Sequence, residues 1–233
     1  MKKLFIIALT ALASSFSFAE NLQCEKSYEI FNKMGDKEIE ILKNGSLDDL
    51  LQYYDQVEYD RKLKSKHQGQ TFSSGEWVSD AEYRQDIKIQ QDLAKDGSYA
   101  NIDSTFLKPK FNYISSVGEV CIVPMRSQEE IFQKRMLTEA DVLFVRDTHT
   151  NEWRRFIYLG IENKADFNEF FPDLPKNVVL SQMLIDNKNF ADSTSEFGLL
   201  MLKEMGIEIT DEAKEMMKKQ SEPFRIKLKA NGY

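Results

Sequence analysis

Apolar side chains recur at helical spacing through residues 28–43, where Ile30, Phe31, Met34, Ile41 and Leu42 approach one face and Asn44-Gly45 supplies a stop. A second stripe follows at once, with Leu47, Leu50, Leu51, Tyr54 and Val57 behind a Ser46 cap and Asp49 three residues on. The pair predicts either a helical hairpin or one kinked long helix. Residues 58–76 hold few large apolar side chains and several Gly and Ser, and read as a mobile connection. A third helix then opens with Ser79 and Glu82 as a capping box, and with Val78 and Tyr83 where a hydrophobic staple would stand. Ile87 and Ala94 continue its apolar side as far as Gly97.

From residue 111 the period shortens to that of strands. Residues 111–114 and 117–123 are rich in β-branched and aromatic side chains, with Gly118 at a bend or bulge, and residues 131–137 form a weaker strand. Residues 142–146 and 153–159 flank the turn DTHTN as a hairpin. Trp153, Arg155, Ile157 and Leu159 alternate there with Arg154, Phe156 and Tyr158, so both faces are mixed and the strand reads as covered on both sides. Asn163 and Asp166 open a short helix that Pro172 ends, Ser193 with Glu196 starts another that Gly206 stops, and Thr210 starts a third. Beyond Pro223, the alternation of Phe224, Ile226 and Leu228 with Arg225, Lys227 and Lys229 predicts an edge strand guarded by charge. The element order is α+β: N-terminal helices packed on a curved antiparallel sheet, with a C-terminal helical appendage.

The first nineteen of the 233 residues change how all of this is read. Lys2 and Lys3, a short apolar run from Leu4 to Leu12, and Ser17 and Ala19 at the small-residue positions predict a secretory signal peptide cleaved after Ala19. The run is too short for a membrane anchor, and Gln23 before Cys24 departs from the small residues of a lipoprotein box. The predicted organisation is thus a signal peptide over 1–19, an α+β domain over 20–162, and an extension over 163–233 packed on the same domain. The mature chain is expected to be periplasmic or secreted, with no membrane insertion after cleavage. Without the signal, basic residues fall from 31 to 29 against 38 acidic ones, a net charge of −9 that argues against nucleic acid as a partner. Cys24 and Cys121, the only two cysteines, predict one disulfide in an oxidising compartment, closing a loop of about a hundred residues. Two unpaired thiols are the alternative.

Candidate chemistry is sparse. His149 lies beside Asp147 in the DTHTN turn and His67 among lysines, and both read as solvated loop histidines. Asp48, Asp49, Asp55, Glu58 and Asp60 cluster without the spacing of a calcium loop, and Thr105 with Lys108 lacks any companion motif. No metal site, cofactor or catalytic residue is assigned. Tyr113, Phe144, Trp153, Phe156 and Tyr158 are candidate cavity aromatics, with core residues as the alternative. Phe170, Phe171 and Leu174 are the candidate partner surface, with a helix end against the sheet as the alternative.

The segment KNGSLDDLLQYYD and the hairpin of residues 142–159 with Trp153 resemble the nuclear-transport-factor-2-like superfamily over residues 26 to about 162. That resemblance implies a cone-shaped roll around a cavity, a shape used for small-molecule enzymes, binding domains and toxin-neutralising immunity proteins. The expected function is an exported, non-catalytic binding protein, protein-neutralising or scaffolding in role. A small-molecule-binding protein or enzyme of the hydrolase or isomerase kind, using the cavity, is the alternative.

Overall fold

Two long strands, β5 (Gly118–Ile131) and β6 (Lys134–Arg146), form the spine of the molecule, paired without interruption from Glu119↔Arg146 to Ile131↔Lys134. The computed structural model describes residues 22–233; the predicted signal peptide and its cleavage point lie outside the described residues. Phe132 and Gln133 join the two strands at φ 49° and 64°, the positive values that a two-residue hairpin of matching twist requires. The weak strand expected over residues 131–137 is therefore corrected. This turn divides it, leaving Ile131 at the end of one strand and Lys134 at the start of the next.

Each spine strand carries two shorter neighbours. β3 (Tyr99–Phe106) and β4 (Phe111–Ser115) pair successive parts of β5, while β7 (Trp153–Tyr158) and β8 (Leu184–Ile185) pair successive parts of β6, and β9 (Lys188–Asn189) closes the edge. All these pairings are antiparallel. β3 went unpredicted because YANIDSTF exposes several of its side chains and offers no clean alternation. At Gly118 (φ 125°) an added Cβ would lie 2.2 Å from the Arg146 carbonyl oxygen, so only glycine fits between β4 and β5.

Helix α1 (Tyr28–Asn44) covers its predicted apolar stripe, and α2 (Leu47–Val57) and α3 (Asp80–Lys95) start where their caps predict. Ser46 and Asp49, and likewise Ser79 and Glu82, exchange hydrogen bonds as capping boxes. α1 and α2 are two helices separated at Gly45 and Ser46. They cluster with α3 through Leu42, Leu50, Tyr54, Ile87 and Ala94. α1 also lays Phe31 on one face of the sheet, stacked 3.7 Å from Phe144 and edge-on to Trp153, around the buried Cys24–Cys121 disulfide. The opposite face holds the second core, where Val120, Ile122, Leu143 and Phe156 meet Phe170 and Phe171. Strand β7 is buried on both sides, as its mixed faces predict.

Three further expectations are corrected. Residues 58–76 are ordered by a 3-10 turn (Asp60–His67) and a small hairpin, β1 (Thr71–Ser73) with β2 (Glu76–Val78); Phe72 anchors it in the core. α4 (Lys164–Phe170) begins at Asn163 as expected, but α5 (Phe190–Glu204) starts before Ser193. Asn189 caps it, accepting from the Asp192 amide at 2.9 Å, because the β8–β9 hairpin delivers the chain directly into the helix. The predicted terminal edge strand is helix: α6 (Asp211–Ala230) runs through Pro223. Phe224 and Leu228, four residues apart, satisfy helical spacing as well as alternation, and both pack against the Ile161, Ala191 and Phe190 side. That burial offsets the hydrogen bond that proline cannot make.

Candidate functional site

The aromatics expected to share a cavity do not meet. Phe144 and Trp153 belong to the core under α1, whereas Tyr113, Phe156 and Tyr158 belong to the core on the other face, because alternate residues of a strand point opposite ways. They are core residues, and the cavity assignment is corrected. The expected partner surface is corrected likewise: Phe170 and Phe171 are 0% and 2% exposed and Leu174 packs against the same cluster, so α4 ends inside the core.

A polar concavity lies between α1 and strands β3 and β5, a cleft of about 590 Å³. Along β5 the face that begins with Cys121 and Val123 turns polar beyond Met125, presenting Ser127 and Glu129. Ser104 of β3 and Ser127 lie 2.9 Å apart through their hydroxyls, and the Asn101 amide donates to both at 2.9 and 3.3 Å. The Ser127 hydroxyl donates in turn to Glu129 at 3.3 Å. Asp36 and Asp103 line the outer part, and Ile39, Leu42 and Phe106 supply apolar wall.

At the inner end Arg155 carries the charge balance. Its guanidinium donates to Glu38 at 2.7 Å and to Glu58 at 2.8 and 2.9 Å, while the Tyr54 hydroxyl donates to Glu38 at 2.9 Å. Arg155 reaches this position because Glu58 at the end of α2 bridges its backbone and the Tyr59 amide bonds its carbonyl at 2.8 Å. Burial alone would depress the guanidinium's pKa, but Glu38 and Glu58 outweigh it and hold the group well above its ordinary value. Burial raises the Glu58 carboxyl despite Arg155. Burial also raises Glu129, against the Ser127 hydrogen bond and with help from Glu38, so the two carboxylates sense one another across the cleft. Among the described lining residues Arg155 is the sole cation, facing Asp36, Glu38, Asp103 and Glu129.

Elsewhere the polar groups serve structure. The Glu119 carboxylate, fully buried, accepts from the Gln23 and Cys24 amides at 2.7 and 3.0 Å and from Arg146 at 2.7 Å, tying the chain before α1 to the sheet beside the disulfide. His149 is a turn residue whose amide bonds Asp147, and that carboxyl is lowered to about 2, chiefly by the His149 and Thr150 amides. His67 stacks on Trp77 at 3.5 Å and meets Glu169 at 2.9 Å, joining the 3-10 turn to α4. The clustered acids disperse to separate tasks, with Asp48 bonding Arg84 and Asp49 capping α2. Among the described residues no three His, Cys, Asp or Glu could hold a metal ion, and no helix is long and apolar enough to cross a membrane.

Asp60 is buried beside Arg61, 3.6 Å from its Nη1, with Oδ2 lacking a hydrogen bond. Burial pushes its carboxyl up to about 7, Arg61 notwithstanding, and burial does the same for Glu162. An unfolded aspartate titrates near ~3.9, so between about pH 4 and 7 the folded chain holds a proton the unfolded chain has released. Stability therefore falls as pH rises through that window and levels off above it. Asp60→Asn should flatten the decline, measured by urea unfolding at pH 5 and pH 8. An unchanged slope would show that Asp60 is solvated.

Comparison of the chain with family models, curated proteins and solved structures returns no match. Sequence reading noticed Arg155 as a charge on a strand facing Trp153 and Ile157. It offered no signal for Glu38, Glu129 or the Asn101–Ser104–Ser127 group, which converge from helix and strands far apart in the chain.

Proposed function

We propose that this chain is an exported, non-catalytic binding protein whose ligand seats in the α1–sheet cleft and presents a cationic, hydrogen-bonding group to its carboxylates. The observation that carries this is the charge imbalance of the lining: four carboxylates border the cleft, and its one guanidinium is already committed to Glu38 and Glu58. A pocket of this size with a few convergent polar groups suits a small molecule. A lysine or arginine on a partner protein meets the same chemistry, which is how a neutralising or scaffolding role would use the site. Burial of the residues once expected as a partner surface favours the cleft over α4. The disulfide supports export, since such bonds persist in oxidising compartments. The nuclear-transport-factor-2-like roll, with residues 163–233 as an extension, belongs to this proposal as the fold that would shape the cleft.

Calorimetry of the mature protein at about 150 mM salt, where longer-range surface attraction is screened, tests it. Spermidine should bind and citrate should not. Glu129→Gln should weaken spermidine roughly tenfold, the scale of one charge-assisted hydrogen bond. Citrate binding as tightly as spermidine would overturn the reading, and turnover of a cleft ligand would replace it with the enzymatic one.

A further inference from the structure

Glu129 belongs to two walls. On one side it borders the polar cleft; on the other it borders a second pocket of about 320 Å³, between the tip of the β5–β6 hairpin and α5. Ile131 and Met136 form the floor of that pocket, and Ile185, Phe190, Phe197 and Leu200 enclose it. Its size falls at the low end of small-ligand sites and holds on the order of ten heavy atoms, at the ~30 Å³ that one liquid water claims. Its other carboxylates are accounted for. Glu196 is bound by Lys188 through both oxygens, and Asp186 accepts from the Leu137 amide at 2.9 Å. Glu129 has no cation partner among the described residues, accepting only from Ser127.

From this shared wall we infer that the ligand is an amphipathic cation, its charged head at Glu129 and the cleft and its apolar chain in the second pocket. This rests on the cation reading of the cleft and adds the second half of the ligand. Lys134 sets the polarity. It stands across from Ile131 beside the hairpin turn, so a cation at that end is repelled while one at the Glu129 end is attracted. The apolar surface gives affinity that grows with chain length, since each further buried methylene leaves water.

Calorimetry of the mature protein with butylammonium, dodecylammonium, dodecanoate and 1,12-diaminododecane, each below its micelle concentration, tests the inference. Dodecylammonium should bind at least tenfold tighter than butylammonium, and tighter than both the carboxylate and the diamine. Leu200→Trp, which fills the pocket, should erase the chain-length gain; Phe197→Ala should shift the preference to a longer chain. Equal binding of the two monoamines, a gain that survives Leu200→Trp in a folded variant, or dodecanoate binding as tightly as dodecylammonium each overturns it. Failure of both monoamines and spermidine to bind removes the cation reading itself; binding of cations without a chain-length gain removes this inference alone.

Discussion

Replacing Arg155 with methionine lowers the unfolding free energy by about 3–5 kcal/mol at pH 7, the scale for removing one member of a buried ion group. Glu38 and Glu58 are left facing each other with no cation between them, in a site where burial already raises the Glu58 carboxyl. The loss is pH dependent. Without Arg155 the Glu58 carboxyl, already raised by burial, loses the cation that opposes the rise, so the variant recovers stability as pH falls from 7 toward 5. Adding Glu38→Gln and Glu58→Gln to Arg155→Met recovers most of the loss, since the desolvated charges go with their partner. Urea unfolding of the single and triple variants at pH 5 and pH 7 measures both effects. A loss below about 1 kcal/mol, the range of exposed pairs, would mean that water screens the group.

Removing the Cys24–Cys121 bridge has an effect of the same order. The two residues are 97 apart in sequence and both are fully buried, so cross-linking them restricts the unfolded chain by about 4–5 kcal/mol in the loop-entropy account. A Cys24→Ala/Cys121→Ala variant should show that loss in denaturant, and reductant should bring the wild type toward it. The local consequence is separate. With the bridge gone, the Glu119 hydrogen bonds and the packing of residue 24 are what tie this segment to the sheet among the described residues, so protease should cut before α1 sooner than elsewhere. Mass spectrometry of unreduced protein should find two hydrogens fewer than after reduction. Two titratable thiols in the native protein, or unchanged stability in the variant, would remove the claim.

The helices were legible wherever the signal is local. Ser46 with Asp49, Ser79 with Glu82, Asn163 and Thr210 all cap the helices predicted for them, because a cap is a bond between residues two or three apart. The hairpin ending in Arg146 and resuming at Trp153 was legible for the same reason. Failures came where local pattern is degenerate. Phe224 and Leu228 fit a strand or a helix, and contact with Ile161 decided for the helix. Phe132-Gln133 carries no turn chemistry of its own, yet thirteen residues of pairing on either side impose positive φ there.

The sequence by itself determined the α+β class, the starts of most helices and the cysteine pair available for one bridge, since these follow from periodicity, capping residues and count. Which face each side chain meets was decided by the tertiary structure alone. Alternate residues of β7 send Phe156 into one core and Arg155 to the opposite face, and only the arrival of Glu38 from α1 and Glu58 from the end of α2 turns a strand arginine into the closed end of a cleft. Glu129 likewise gains its meaning from α1 on one side and α5 on the other, elements that pairing and packing bring to it from opposite ends of the chain.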